Sequence, residues 1–205
     1  MTQDLVHLHR PARPGRPTLL LLHGRGGSEG DLVALADAVD PGVGVLAPRG
    51  PDAQQPAGFA WFLHRAIGIP VEESLDARLA EVGDWVAAAA ARYGTGPLVA
   101  VGFSNGGMMA GALLAARPDL VTSAALLSGA YPLPAHVLAL GGASGRRIIM
   151  AGGDADPFHT AETLDAGEAS YAAAGAVVEK HLTPGAGHGI TASQVDALRA
   201  WLASG

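Results

Sequence analysis

The sequence contains no cysteine, and Lys180 is its single lysine among 205 residues. Without cysteine, the chain cannot form a disulfide-stabilised scaffold, a cysteine-based zinc site or a thiolate nucleophile. Its 13 lysine and arginine residues are outnumbered by 19 aspartate and glutamate residues, which gives a formal net charge of −6. This balance lacks the basic footprint of a nucleic-acid-binding protein, so no nucleic-acid partner is expected.

Long hydrophobic runs are also absent. The longest apolar stretches, such as Trp85–Ala91, are far shorter than the roughly 20 residues that span a bilayer. Met1–Arg16 is polar and rich in proline, and it lacks the apolar segment of a secretory signal. We therefore expect a cytoplasmic protein with no membrane span, whose 49% hydrophobic content suffices for one substantial core.

Short apolar runs alternate with helical patterns along the whole chain. Buried strands are predicted at Thr18–Leu22, Val43–Ala47 and Leu98–Phe103, further strands at Thr122–Leu127, Arg147–Ala151 and Ala176–Leu182, and an edge strand at Leu5–His9. Helices are predicted after Ser28, near 73–93, at Asn105–Ala116, near 159–174 and after Thr191. This alternation predicts the α/β class: a single domain over residues 1–205, with a mainly parallel sheet and helices on both faces.

Reactive groups of such sheets gather beyond the carboxyl ends of the strands. Ser104 stands there, in the segment GFSNG at 102–106, between an apolar strand and a helix of small residues. This G-x-S-x-G pattern is typical of a nucleophile elbow, whose glycines avoid clashes in a tight turn. A strand-to-helix turn without a catalytic role is the alternative.

The glycine-rich segment HGRGG at 23–27 follows the first buried strand. An oxyanion hole in such a fold takes one backbone N–H from the residue after the nucleophile and one from this loop. We therefore predict that the backbone N–H groups of Arg25 and Asn105 form it. Nucleotide binding is disfavoured, because the loop lacks the Gly-Lys-Ser/Thr of a P-loop.

Two aspartates, Asp154 and Asp156, follow the strand predicted at Arg147–Ala151, and His188 lies in a glycine-rich loop after the strand predicted at Ala176–Leu182. A histidine there can take the proton of a serine nucleophile while a carboxylate holds its other ring nitrogen. We favour Asp156 as that carboxylate, partly because Pro157 stiffens the chain just beyond it, and Asp154 remains the alternative. The order serine, aspartate, histidine is that of α/β-hydrolases.

On these residues the sequence resembles the α/β-hydrolase superfamily, and more narrowly the small cap-less bacterial carboxylesterases of the phospholipase/carboxylesterase group, which includes acyl-protein thioesterase relatives. The matching segments are LLHGRGG at 21–27, AWF at 60–62, GFSNGG at 102–107, GDADP at 153–157 and GHG at 187–189. The resemblance implies the α/β-hydrolase fold without a large cap domain. It also implies Ser104 as nucleophile, Asp156 as acid and His188 as base.

The resemblance further implies that the loop around Trp61 and Phe62 borders the substrate cleft. The candidate pocket walls are Trp61, Phe62, Met108 and Phe158. For Met108, which lies on the helix after Ser104, we favour the hydrophobic core over the pocket. The segment 49–71 shows no periodicity, and loops of this length are uncommon unless they are functional.

At position 25 this chain departs from better-known thioesterase relatives, which carry an apolar residue there. The side chain of Arg25 is therefore expected to reshape the cleft or to bind an acidic group of a substrate. Between Ser128 and Arg146 the chain has only a moderate stretch rich in proline and glycine. This predicts an open, shallow cleft without a lid.

These patterns predict a serine hydrolase of the carboxylesterase type that needs no cofactor or metal. Its expected substrates are small-molecule esters with short or medium acyl chains. A thioesterase or lysophospholipase with the same triad is one alternative, and a non-catalytic binding protein is the second. A zinc site at His7 and His9 is disfavoured, because no third ligand is evident in the sequence. The oligomeric state stays open, with a homodimer as one alternative.

Overall fold

The computed structural model describes residues 4–205. Its strands are β1 (His7–Arg10), β2 (Thr18–Leu22), β3 (Gly44–Pro48), β4 (Asp52–Ala53), β5 (Phe59–Ala60), β6 (His64–Ala66), β7 (Ile69–Pro70), β8 (Leu98–Phe103), β9 (Val121–Leu127), β10 (Arg147–Gly153) and β11 (Val177–Thr183). Its helices are α1 (Val33–Val39), α2 (Glu72–Tyr93), α3 (Asn105–Ala116), α4 (Ala135–Leu138), α5 (Ala161–Ala173) and α6 (Ala192–Ala203).

Seven strands form one sheet in the order β1-β3-β2-β8-β9-β10-β11. At one edge β1 runs antiparallel to β3, and every other neighbouring pair in the sheet is parallel. The mainly parallel sheet that the sequence predicts is therefore confirmed. The edge strand begins two residues later than predicted and ends one residue later.

Helices cover both faces of this sheet, as predicted. Successive strand residues point to opposite faces, so Leu20 and Leu22 of β2 pack into one core with residues of α2 and α3. Leu19 and Leu21 of the same strand pack into a second core with residues of α1 and α6. Both faces of the central strands are thus shielded from water, which explains their uninterrupted apolar runs.

The starts of two helices depend on local side-chain hydrogen bonds. The helix after Ser28 begins only at Val33, because Ser28 and Asp31 hydrogen-bond each other ahead of the helix rather than capping it. At α6 a capping box is present: the Thr191 hydroxyl accepts from the N–H of Gln194, and the Gln194 side chain accepts from the N–H of Thr191. The predicted start of the last helix is thereby confirmed.

The segment 49–71, expected as an irregular loop, contains two small antiparallel hairpins, β4–β5 and β6–β7. The first hairpin braces the glycine-rich loop after β2. Gly26 N–H donates to the Phe59 carbonyl over 2.8 Å, and Phe59 N–H donates to the Gly27 carbonyl over 2.9 Å. Gly58, at φ +85°, lies so close to Gly26 that a Cβ there would clash with the backbone of Gly26.

Between β9 and β10 the chain contains only the short helix α4 and irregular backbone. Residues 4–205 therefore hold no cap domain over the carboxyl ends of the strands, as the sequence predicts. None of the helices in this range is both long and apolar enough to cross a membrane.

Candidate active site

Ser104 lies in a sharp turn between β8 and α3. Its backbone angles are φ 54° and ψ −117°, and such a conformation costs a residue other than glycine about 1–3 kcal/mol. The two neighbouring glycines permit the turn. A Cβ on Gly102 would clash with the backbone of Gly106, and a Cβ on Gly106 would clash with the carbonyl of Leu22. The turn presents Ser104 on the wall of a cavity.

His188 and Asp156 complete a hydrogen-bonded chain that starts at Ser104. The distance from Ser104 Oγ to His188 Nε2 is 3.1 Å, and that from His188 Nδ1 to Asp156 Oδ2 is 2.7 Å. The three residues follow β8, β10 and β11, whose carboxyl ends lie at one edge of the sheet. This geometry lets His188 accept a proton from Ser104 while it donates Nδ1–H to the carboxylate.

The carboxylate of Asp156 is buried, with 2% of the residue exposed. Its Oδ1 accepts hydrogen bonds from the backbone N–H groups of Phe158 and His159, over 2.8 and 3.0 Å. Burial by itself would raise the pKa of Asp156. The hydrogen bonds from His188 and from these two N–H groups outweigh burial, so its pKa lies below the ordinary value. Asp156 therefore faces His188 as an ionised group.

Asp154, the other aspartate that the sequence offers for this place, contacts neither His188 nor Ser104. It is exposed, and its Oδ1 accepts a hydrogen bond of 2.5 Å from the N–H of Gly185. This contact ties the loop after β10 to the loop after β11. The structure thus brings Asp156, and not Asp154, into contact with His188.

The backbone N–H groups of Arg25 and Asn105 donate to no backbone carbonyl within residues 4–205. Both residues line the cavity that holds Ser104. The side chain of Asn105 points elsewhere, because its Oδ1 accepts from the N–H of Trp61 over 2.8 Å. Both N–H groups are therefore without a backbone acceptor among the described residues, which is one requirement for an oxyanion hole.

His23 fixes the loop that carries Arg25. It is buried, its Nε2 accepts from the N–H of Gly50 over 2.9 Å, and its Nδ1 lies 2.7 Å from the carbonyl of Gly24. These partners require the proton on Nδ1. Burial lowers the pKa of His23, and the ring is neutral. His23 therefore has a structural role: its ring hydrogen-bonds to Gly24 and Gly50 and holds the loop in place.

The cavity at Ser104 has a volume of about 180 Å³. Its lining residues are Arg25, His64, Ile67, Gly68, Ser104, Asn105, Tyr131, Phe158 and His188. A wider groove of about 570 Å³ shares Ile67, Gly68, Tyr131 and Phe158 with it and continues toward α5. The site is therefore a small chamber that opens into a groove whose walls are mostly apolar but include Glu72 and Glu162.

Three of the four expected pocket residues do not line this cavity. Trp61, Phe62 and Met108 are at most 1% exposed and belong to the hydrophobic core, and only Phe158 is a wall residue. The expectation for the aromatic pair is wrong, because the indole N–H of Trp61 donates to the His23 carbonyl and fixes the ring beneath the loop. For Met108 the core alternative is correct.

The cavity walls that the sequence analysis did not predict are His64, Ile67, Gly68 and Tyr131. Tyr131 donates its hydroxyl to the carbonyl of Phe158 over 2.8 Å, and burial together with the charge of Asp156 raises its pKa to about 12. It lies just beyond the carboxyl end of β9. Residues that follow β9 lie at the same edge of the sheet as Ser104, so the position of Tyr131 after this strand is the sequence signal that points to it.

His7 and His9, the weakest candidates for a metal site, are engaged with Tyr93. His7 Nε2 lies 2.7 Å from the Tyr93 hydroxyl, and the ring of His9 stacks on that of Tyr93 at 3.9 Å. Throughout residues 4–205, no three histidine, aspartate or glutamate side chains converge as metal ligands.

Comparisons with known proteins agree with this architecture. Residues 17–141 match the family described as alpha/beta hydrolase fold, a span that includes Ser104 and ends before Asp156. The chain is 31% identical over 186 residues to MhqD of Bacillus subtilis, which is named as a hydrolase, and the match covers 89% of this chain and 90% of MhqD.

Two solved structures resemble the fold over almost its whole length. The carboxylesterase of Bacillus cereus superposes with a TM-score of 0.85 at 29% identity, over 96% of this chain and 92% of that chain. The carboxylesterase of Mesorhizobium loti gives a TM-score of 0.84 at 29% identity, over 94% of this chain and 91% of that chain. The α/β-hydrolase fold that the sequence predicts is confirmed.

Proposed function

The chain belongs to the alpha/beta hydrolase fold family, and from that premise we propose that it is a serine hydrolase of the carboxylesterase type. It cleaves carboxylic esters through a covalent acyl-enzyme. Ser104 is the nucleophile, His188 the general base and Asp156 the carboxylate that orients the base. The observation that carries this proposal is the chain of hydrogen bonds of 3.1 and 2.7 Å that links the three side chains.

In the first step, His188 Nε2 takes the hydroxyl proton as Ser104 Oγ attacks the ester carbonyl. The carbonyl oxygen becomes an oxyanion, which accepts hydrogen bonds from the N–H groups of Arg25 and Asn105. Loss of one such donor typically costs about 10²–10³ in rate. His188 then gives the proton to the departing alkoxide, and the acyl group stays on Ser104.

In the second step, water replaces the alcohol. His188 takes a proton from the water as the water oxygen attacks the acyl-enzyme, and the same two N–H groups hold the new oxyanion. Collapse of this intermediate returns the proton to Ser104 Oγ and releases the carboxylic acid. Throughout both steps Asp156 holds His188 in the Nδ1–H tautomer and stabilises its charged form.

The size of the cavity supports short acyl chains as the first choice. Its volume of about 180 Å³ holds a small acyl group, and the adjoining groove accommodates a longer one. The relatives named as carboxylesterases support a carboxylic ester as the bond that is cleaved. The same geometry also serves thioesters and lysophospholipids, because fold and triad do not choose the leaving group.

The test is hydrolysis of 4-nitrophenyl esters of increasing acyl length, with wild type beside Ser104→Ala. We expect activity on short acyl chains and a loss of about 10⁴-fold or more in kcat for the variant. A Ser104→Ala protein that retains most of the wild-type rate would overturn the assignment of the nucleophile.

A fluorophosphonate probe separates a hydrolase from a binding protein. It labels only a serine that a neighbouring base activates. We expect wild type to be labelled and Ser104→Ala to stay unlabelled. A wild-type chain that neither reacts with the probe nor cleaves any ester is the binding protein of the alternative hypothesis.

A further inference from the structure

The side chain of Arg25 borders the cavity without an ionic partner. In residues 4–205, no carboxylate forms an ion pair with its guanidinium, and the side chain is exposed. The nearest acids along the chain are engaged elsewhere. Glu29 binds Arg49 through two hydrogen bonds of 2.6 and 2.7 Å, and Asp31 accepts two hydrogen bonds within its own turn.

The described walls of the cavity contain no carboxylate. Asp156 is buried and accepts the Nδ1–H of His188, and the two acids Glu72 and Glu162 line the adjoining groove and not the cavity. Of the described residues that line the cavity, Arg25 alone carries a permanent charge. A substrate that enters the cavity therefore meets a guanidinium whose donors no protein carboxylate occupies.

The charge of Arg25 reaches the opposite walls of the cavity. Burial lowers the pKa of His64, and the charge of Arg25 lowers it further. The same charge partly offsets the rise that burial causes in the pKa of Tyr131. His64 Nε2 lies 3.4 Å from Asn105 Nδ2, which places the proton of a neutral His64 ring on Nδ1. The chamber thus offers the charged guanidinium of Arg25 together with neutral hydrogen-bond donors.

We propose that the preferred substrates are esters that carry a carboxylate close to the scissile bond, and that the guanidinium of Arg25 binds this carboxylate. The inference rests on the proposed ester hydrolysis and names its substrate class. Arginine suits the task, because its planar guanidinium donates two parallel hydrogen bonds to one carboxylate. Arg25 then has two parts in the site: its backbone N–H holds the oxyanion, and its side chain selects the substrate.

The overall charge of the protein works against anionic substrates. A formal net charge of −6 repels anions at long range, so a preference for them requires a local group. A hydrogen-bonded pair between charged groups discriminates by about tenfold to a hundredfold. We expect a preference of this size for an ester with a carboxylate over its neutral counterpart.

The experiment compares matched ester pairs in wild type and Arg25→Gln. The first pair is mono-4-nitrophenyl succinate and 4-nitrophenyl butyrate, and its charged ester carries the carboxylate in the acyl part. The second pair is 4-acetoxybenzoate and 4-methylphenyl acetate, and its charged ester carries the carboxylate in the alcohol part. The measured quantity is the ratio of kcat/KM for the charged ester to that for the neutral ester. Ser104→Ala supplies the rate of non-enzymatic hydrolysis for each ester.

The ratio of kcat/KM values separates the effect of the Arg25 backbone from the effect of its side chain. A displaced backbone N–H lowers kcat/KM for both esters of a pair by the same factor, so its effect cancels in the ratio. The guanidinium acts on the charged ester alone, so its loss changes the ratio. We expect Arg25→Gln to lower the ratio at least about tenfold for one pair, and the pair that responds tells which part of the substrate carries the carboxylate. Arg25→Lys keeps the charge without the planar guanidinium and should retain part of the preference.

Arg65→Gln is the matched control. Arg65 is exposed on β6, next to His64, and does not line the cavity. Its removal changes the net charge by the same amount as Arg25→Gln. We expect the ratio to stay at the wild-type value in both pairs. Equal losses in the two variants would mean that general attraction of anions, and not Arg25, causes the preference, which overturns the proposal.

Two further outcomes separate this inference from the proposed function. If wild type cleaves the neutral esters but the ratio is the same in Arg25→Gln, ester hydrolysis stands and the role of Arg25 fails. If wild type cleaves no ester, the proposed ester hydrolysis is wrong, and a binding measurement tests the role of Arg25. Titration calorimetry then compares succinamate with butyramide: tighter binding of succinamate that Arg25→Gln abolishes supports the anion site, and equal or undetectable binding of the two overturns it.

Discussion

Asp154 and Asp156 are two residues apart on one loop, yet they differ in burial and in all of their partners. Asp156 is buried and accepts hydrogen bonds from His188 and from the N–H groups of Phe158 and His159. Asp154 is exposed and accepts from the N–H of Gly185. A carboxylate that fixes an imidazole must itself be held in place, and at the scale of single residues only Asp156 meets this condition.

Asp156→Asn should lower kcat by about 10⁴-fold, because the amide no longer stabilises the Nδ1–H tautomer or the charged form of His188. Asp154→Asn is the matched control. Its amide oxygen still accepts from the N–H of Gly185, so kcat should stay within a few-fold of wild type. Rates on 4-nitrophenyl butyrate and melting temperatures of both variants check the prediction. A larger loss for Asp154→Asn would transfer the role of the acid to that residue.

At the scale of elements, the β4–β5 hairpin matters because it holds the loop with the Arg25 N–H in position. The hairpin contributes no side chain to the cavity walls, but its Phe59 exchanges two backbone hydrogen bonds with Gly26 and Gly27. The contact is tight at Gly58, where a side chain would meet the backbone of Gly26. A change in the hairpin should therefore reach the chemistry through the loop.

Gly58→Ala should lower kcat at least about tenfold, since displacing the loop weakens one oxyanion donor, and full loss costs about 10²–10³. Gly94→Ala is the control: Gly94 also has a positive φ, of 63°, but open space surrounds it at the end of α2. Both variants lose about 1–2 kcal/mol of stability from the left-handed backbone. Steady-state kinetics and thermal unfolding measure the activity and the stability of both variants. An equal kcat in the two variants would contradict the proposed effect of the hairpin on the Arg25 N–H.

The elements that the sequence predicted best are those whose surroundings are uniform. Thr18–Leu22 and Leu98–Phe103 are central strands buried on both faces, so a continuous apolar run ending near glycine specifies them fully. The two small hairpins have strands of two or three residues, too short for any periodicity. The position of Trp61 depends on contacts with His23 and Asn105, which are distant in sequence. Local patterns carry no information about such contacts.

At the scale of the whole molecule, several histidines are held neutral inside the protein. Burial lowers the pKa values of His23, His64 and His159 below that of an exposed histidine. The exposed His136 has the opposite shift, because Asp76 raises its pKa. The pKa of His9 is lowered as well, so four histidines with lowered pKa values stand against one with a raised value. Below the ordinary histidine pKa, the unfolded chain therefore binds more protons than the folded protein.

The melting temperature should fall by several degrees as the pH is lowered from 7 to 5. A histidine whose pKa is lowered in the folded state stabilises the fold above its unfolded pKa and less so as the pH falls below that value. Thermal unfolding at constant ionic strength across this range provides the measurement. His136→Gln removes the opposing group and should steepen the fall. A melting temperature that is constant or rises on acidification would contradict the burial of neutral histidines.

At position 25 the backbone and the side chain are under different constraints: the backbone N–H must stay in place, whereas the side chain can change. Its backbone lies in a braced loop, whereas its side chain is exposed at the cavity and holds no other part of the structure together. A backbone N–H is common to every residue except proline. Natural variation or directed evolution can therefore exchange the side chain at this position and redirect the enzyme to new esters, while the reaction chemistry is inherited unchanged.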